Sequence, residues 1–238
     1  MDLTYFSAFA WEFLGTFILV LIGTSSVANH VLRKTGGHGG GPLMIAFSWA
    51  FAVFAGASIA DRTGGHLNPA VTLAVWLRGD LPGRYVLFYF LGQFLGAFVG
   101  ALFTYLAFKK QFDTHDNPDE TLGVFATGPT VRSYGWNTLT EAIATFVLVL
   151  FILLNPVHNQ ALSYAAVAFI IVAIGTSLGG PTGWALNPAR DFGPRAAFSV
   201  LPIAGKPNPD WAYALVPIIG PMLGAVAAVI VATAWLAL

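Results

Sequence analysis

Cysteine is absent from the 238 residues, which excludes disulfides, thiolate metal sites and thiol nucleophiles. Charge is nearly as scarce. Lys and Arg number 11, Asp and Glu 11, together 9% of the chain, against roughly 25% in a soluble domain. That is too little to cover a water-facing surface. The signs cancel to zero, so neither nucleic acid nor an acidic macromolecule is an expected partner. No metal-ligand cluster, cofactor motif or nucleophile–base pair stands out, so the chain does not read as an enzyme. A basic signal-peptide region is missing too. Met1-Asp2-Leu3-Thr4 leads into an apolar run interrupted by Glu12, which reads as a retained helix.

What is present is apolar. Hydrophobic residues make up 56% of the chain and mean hydropathy is +0.71, the profile of a multi-pass integral membrane protein. A bilayer core takes about 20 apolar residues in a helix, and six segments come close: 6–29, 43–60, 85–108, 136–155, 161–178 and 212–237. The third carries Gly92, Gly96 and Gly100 at four-residue spacing, a small-residue face for close helix contact. Two further segments, Pro69–Leu77 and Pro188–Val200, are too short to cross. Each opens with Pro at the first helical position after Asn as N-cap.

The short segments are related: "GGHLNPAVT" (64–72) and "GWALNPARD" (183–191) share G-x-x-LNPA. The long helices repeat as well, "EFLGTFILVL" (12–21) against "EAIATFVLVL" (141–150). The expected architecture is all-α: one channel domain over 1–238, with repeat one about 1–110, a loop 111–135 and repeat two about 136–238. Three spans per repeat is an odd number, so the second repeat enters the membrane inverted. Two half-helices then meet near the midplane, N-terminus to N-terminus. Non-helical backbone at that depth is tolerated only where it is buried or lines a cavity. The backbone carbonyls of Gly64, Gly65, His66, Gly183 and Ala185 are therefore expected to line a polar path.

With both Asn-Pro-Ala boxes, Arg190 after the second, Gln93 in the third span and Glu12 and Glu141 in the repeated helices, the chain resembles the major intrinsic proteins over essentially its whole length. These are the aquaporins and glycerol facilitators. The resemblance implies six transmembrane helices plus two re-entrant half-helices in the cell membrane. It also implies a homotetramer with one pore per subunit and a cytoplasmic N-terminus. Charge disagrees with that orientation: it places Arg62, Arg78 and Arg84 inside but Arg33, Lys34, Lys109, Lys110, Arg132, Arg195 and Lys206 outside. The inverted repeat and the functional arginines distort that count.

Each half-helix N-terminus carries roughly half a positive charge, so two facing each other repel cations. The pore motifs are thus Asn68, Pro69 and Ala70 with Asn187, Pro188 and Ala189. Asn68 and Asn187 cap their own half-helices and leave side-chain NH2 groups for a passing hydroxyl. Arg190 lies one turn beyond Asn187 on the same face; its counterpart in the first half is Val71. A membrane-buried arginine costs about 3 kcal/mol and faces a polar cavity. By the resemblance, Arg190 forms a selectivity filter with Gly175, Trp184 and an aromatic of the second span. Phe47 is preferred there over Ser48 and Trp49. Gly175 in place of His, Trp184 and Asp191 are the glycerol-type choices; lacking the His widens the pore. Glu12 and Glu141 are expected to hold the re-entrant loops by accepting backbone N–H bonds, with Asp191 a further structural carboxylate. His30, His38, His115 and His158 read as loop residues, and "QFDTHDNPDE" (111–120) as a solvated acidic loop without a calcium pattern.

Expected cargo is therefore small uncharged solutes, chiefly glycerol, with water. The stretch 193–213 is similar to members of lactic acid bacteria that pass dihydroxyacetone or protonated lactic acid, and urea is a further candidate. A coupled secondary transporter also uses inverted repeats and broken helices; Glu12 and Glu141 are the only groups that could serve its coupling.

Overall fold

The computed structural model describes residues 3–238; Met1 and Asp2, part of the N-terminal stretch discussed above, lie outside them. Among the described residues every regular element is helical. Helix α1 spans Tyr5–Val31, α2 Gly41–Ile59, α3 Pro69–Leu77 and α4 Gly83–Ala107. After the short α5 (Lys109–Thr114) and α6 (Leu122–Phe125) the pattern returns. Helix α7 spans Tyr134–Leu154, α8 Gln160–Ser177, α9 Pro188–Val200 and α10 Val216–Leu236. Six of these are long and apolar enough to cross a bilayer: α1, α2, α4, α7, α8 and α10.

Local signals account for most boundaries. Thr4 opens α1 as a capping box, its Oγ1 accepting from Ser7 N at 3.0 Å while Thr4 N donates to Ser7 Oγ at 2.8 Å. The two half-helices start and stop where their Asn-Pro signals place them. The largest shift is at α10, which begins at Val216 rather than 212. Residues 211–215 instead form turns, with Tyr213 N donating to Asp210 O and Val216 N to Tyr213 O. Pro217 lacks an N–H and fits the first helical turn, where no partner is needed. Two loop expectations also change. His30 sits in the last turn of α1. The 111–120 stretch folds into the end of α5 and a 3-10 turn (Pro118–Thr121), with the His115 side chain buried against Glu120.

Packing follows the repeat. Helix α4 lies along α1 and α10 along α7. In the first pair the backbones nearly touch: a Cβ on Gly92 would stand 2.5 Å from Phe9 O, and one on Gly100 2.7 Å from Phe17 O. In the second pair a Cβ on Gly220 would stand 2.8 Å from Thr138 O. Small residues let helices approach this closely where apolar transfer supplies no drive. The molecule is inside-out relative to a soluble one. Leu87, Phe103, Phe169 and Ile230 point outward, while Glu12, Gln93, Glu141, Asp191 and Arg195 are fully buried. Exposed Tyr5 and Trp136 lie in the first turns of α1 and α7, and Trp76 and Trp235 in the last turns of α3 and α10. Interfacial aromatics belong at those levels.

Candidate functional site

The two half-helices are each entered by a five-residue backbone stretch, 64–68 and 183–187, and the stretches match in conformation. Gly64 and Gly183 have φ of 80° and 77°, Gly65 and Trp184 60° and 45°, Leu67 and Leu186 53° and 58°. Positive φ at the first, second and fourth residues of each stretch, before an extended Asn, keeps the backbone out of a regular helix. Glycine takes such φ freely; leucine and tryptophan pay strain of order 1 kcal/mol or more for it. Something must hold them there.

The buried carboxylates do so. Glu12 Oε1 accepts from Thr63 Oγ1 at 2.7 Å and from His66 N at 3.1 Å. Its Oε2 accepts from Leu67 N and Gln93 Nε2, both at 2.7 Å. Glu141 repeats the pattern, with Thr182 Oγ1 at 2.6 Å and Ala185 N and Leu186 N at 2.9 Å. The repeats differ in one donor. Gly92 and Gly220 take the same place against their helices, and the next residues are Gln93 and Pro221. Proline carries no side-chain donor, so Glu141 has three protein partners where Glu12 has four.

At the junction Asn68 Oδ1 caps Ala70 N at 2.8 Å and Asn187 Oδ1 caps Ala189 N at 3.0 Å. The amide nitrogens are not wholly free, as the sequence had implied. Asn68 Nδ2 donates to Leu186 O at 2.9 Å, and Asn187 Nδ2 to Leu67 O at 2.8 Å. Each half-helix is thus tied across the seam to the other's loop. Each amide has a second N–H, which these bonds leave for a solute.

A cavity of about 270 Å³ passes this junction. At one end stand Trp49, Trp184 and Arg190, at the other Gln160, Ser163 and Tyr164. Gly64, Gly65, His66 and Ala185 line it, opposite an apolar wall that includes Val53, Leu148, Val167 and Ile171. The guanidinium of Arg190 lies 4.0 Å above the ring of Trp49, a cation–π contact.

Three sequence expectations need correction here. Phe47 is not at the cavity: it is 41% exposed and packs beside Phe51 on the outer face of α2. Two residues on, Trp49 is 3% exposed and lines the cavity. Positions 47 and 49 differ by about 200° around a helix, and Trp49 shares its face with Val53 and Ala57, four and eight residues later. Gly175 does not line the cavity either, because the Trp184 ring fills the space beside it. Gly183 also stands back from it, its N–H donating to Gly179 O at 2.9 Å.

A sequence model described as major intrinsic protein matches residues 2–232. The chain belongs to the major intrinsic protein family. A probable glycerol uptake facilitator protein of Thermotoga maritima is 47% identical over 223 residues, covering 92% of this chain and 95% of that protein. The glycerol uptake facilitator protein of Bacillus subtilis is 42% identical, covering 92% and 81%. Among solved structures, the aquaglyceroporin from Plasmodium falciparum aligns with a TM-score of 0.82 at 30% identity, covering 95% of this chain and 94% of that one.

In this major intrinsic protein several further residues support the site. Thr63 and Thr182, the hydroxyl donors to the two glutamates, were legible: the shared box extends one residue back, to T-G-x-x-L-N-P-A in both halves. Asp191 joins the loop between α6 and α7 to α9. Its Oδ2 accepts from Thr127 N and Oγ1 at 2.7 Å, and its Oδ1 from Arg195 Nε at 2.8 Å. Arg195 completes the knot by donating to the carbonyls of Thr127 and Pro209. Lys206 Nζ donates to Ser199 O and Leu201 O at 2.9 and 2.7 Å, closing the C-terminus of α9. No short-range motif marks Thr127 or Lys206; only the folded chain brings them to α9.

Proposed function

We propose that this chain is a passive channel through which glycerol, and water with it, crosses the cell membrane down its own gradient. The observation that carries the reading is the composition of the cavity wall. Backbone loops and two Asn amides run along one side, an apolar surface along the other, and Arg190 closes one end beside Trp49 and Trp184. A polyol has the matching two sides, hydroxyls along one edge and carbon along the other. The facing half-helix N-termini and Arg190 repel cations, which keeps protons and metal ions out of the path.

Coupled transport is disfavoured by the same geometry. Glu12 and Glu141 are the only repeat-related carboxylates, and both are buried away from the cavity and occupied by loop donors. The relatives named glycerol uptake facilitators support glycerol as cargo; dihydroxyacetone, urea and protonated lactic acid are of similar size and stand behind it. We place the N-terminus in the cytosol and the Arg190 end of the pore outside, in a homotetramer whose subunits conduct separately.

Stopped-flow light scattering on proteoliposomes tests the channel. Glycerol permeability should exceed that of empty liposomes several-fold, without accumulation against a gradient; equal permeability would sink the reading. Cross-linking in native membranes should give a ladder ending at four subunits, and a ladder ending at two would exclude the tetramer.

A further inference from the structure

The cavity-lining stripe of α8 runs through Gln160, Ser163, Tyr164, Val167 and Ile171. Tyr164 is the bulkiest of them, and it stands at the mouth farther from Arg190. A phenol ring on that stripe narrows the mouth unless something draws it aside. The carboxylate of Asp61 is placed to do so. Tyr164 OH donates to Asp61 Oδ1 at 3.0 Å and accepts from Gln160 Nε2 at 2.9 Å. Asp61 opens the 3-10 turn Asp61–Thr63 that follows α2, and it does not itself line the cavity. The bond therefore draws the phenol hydroxyl toward the end of α2 rather than into the lumen. Held so, the ring joins the buried cluster that includes Ala57, Ala60 and Leu67, and Tyr164 is only 7% exposed. The tie also crosses between the repeats, since Asp61 comes from the first and Tyr164 from the second.

The turn keeps its shape by other bonds. Gly64 N donates to Asp61 O and Gly65 N to Ala60 O, both at 3.0 Å. Thr63 is fixed by its hydroxyl on Glu12 and by Tyr89 OH on its carbonyl at 2.9 Å. The exposed Asp61 side chain is thus free to serve Tyr164. A tyrosine on a helix has two common χ1 settings, and a hydrogen bond to a carboxylate biases two such settings by about tenfold or more. We propose that Asp61 is a positioning residue: by holding Tyr164 OH it keeps the ring against the wall and this mouth open to solute. With the tie cut, the ring takes its second setting across the mouth. Every solute meets that mouth, so water and glycerol are slowed together. The inference rests on the channel reading above and adds a second control point at the end of the pore remote from Arg190.

The test measures water and glycerol permeability of proteoliposomes carrying wild type, Asp61→Ala, Asp61→Asn, Tyr164→Phe, Tyr164→Ala or the double variant Asp61→Ala/Tyr164→Ala. Asp61→Ala removes the acceptor, and Tyr164→Phe removes the donor but leaves the ring. Each should lower both permeabilities at least about fivefold. Asp61→Asn, whose amide oxygen still accepts, should stay within about twofold of wild type. Tyr164→Ala and the double variant should match each other and conduct at least as well as wild type, because neither has a ring to swing.

Wild-type flux in Asp61→Ala or in Tyr164→Phe would overturn the proposal, and so would Asp61→Asn as slow as Asp61→Ala. A double variant as slow as Asp61→Ala would overturn it too, because the loss would then come from the turn or from misfolding rather than from the ring. Wild-type protein that conducts neither glycerol nor water would overturn the channel reading together with this one, which separates that failure from loss of the tie alone.

Discussion

Arg190 and Trp49 line the cavity as a stacked pair, the guanidinium 4.0 Å above the ring, and the side-chain nitrogens of Arg190 make no hydrogen bond to the described residues. A cation held this way repels other cations without being neutralised by a carboxylate. Replacing it with valine, the residue at the matching place in the first box, should raise proton or cation leak markedly while changing glycerol flux only about threefold. Voltage-clamped bilayers report the leak, and unchanged ion exclusion would remove Arg190 from the filter. The second-span position can be tested beside it. Trp49→Ala should shift the glycerol-to-water ratio several-fold, whereas Phe47→Ala should leave it unaltered, since Phe47 packs on the outer face. The reverse result would restore Phe47 to the pore.

At the level of elements, the working unit is a half-helix, its entry loop and the long helix whose glutamate anchors the loop. Removing an anchor leaves buried loop N–H groups without acceptors, at about 1–3 kcal/mol each. Glu141→Ala exposes two such groups, Ala185 N and Leu186 N. Glu12→Ala exposes His66 N and Leu67 N, and strips one partner from Gln93 as well. Both variants should lose thermal stability in detergent, Glu12→Ala by at least as much as Glu141→Ala. Intrinsic tryptophan fluorescence during a temperature ramp measures this, and wild-type transitions in both would show that the loops hold their left-handed residues by other means. The anchors also explain why strain at Leu67, Trp184 and Leu186 is sustained. Each carboxylate bonds consecutive N–H groups of one loop, so the loop conformation is over-determined rather than merely permitted.

For the whole molecule, two inverted repeats place one half-helix from each side on a common seam, and the Asn68–Leu186 and Asn187–Leu67 bonds close it. The seam is a joint product of both halves, so neither repeat holds a complete pore. The absence of cysteine acts at this scale too. Mercurial reagents should leave water and glycerol flux unchanged, because no thiolate exists anywhere in the chain for them to modify. Strong inhibition reversed by a thiol reductant would contradict that.

Spans, half-spans and the repeat were determined by the sequence alone, because each rests on local chemistry. Apolar length specifies a crossing helix, Asn-Pro specifies where a half-helix begins, and Glu12 and Glu141 announce themselves as charges with no water to face. The shared threonine before each box was equally legible once the repeat was extended by one residue. Other features needed the tertiary structure. Phe47, Ser48 and Trp49 are neighbours in sequence, and only the rotation of α2 against α1 and α8 turned Trp49 inward. Thr127 and Lys206 carry no pattern of their own, and only chain topology brought them onto α9. Gly175 showed in the sequence as a missing side chain, which implied a wider lumen. What only the fold shows is the neighbour beside that position, the Trp184 ring.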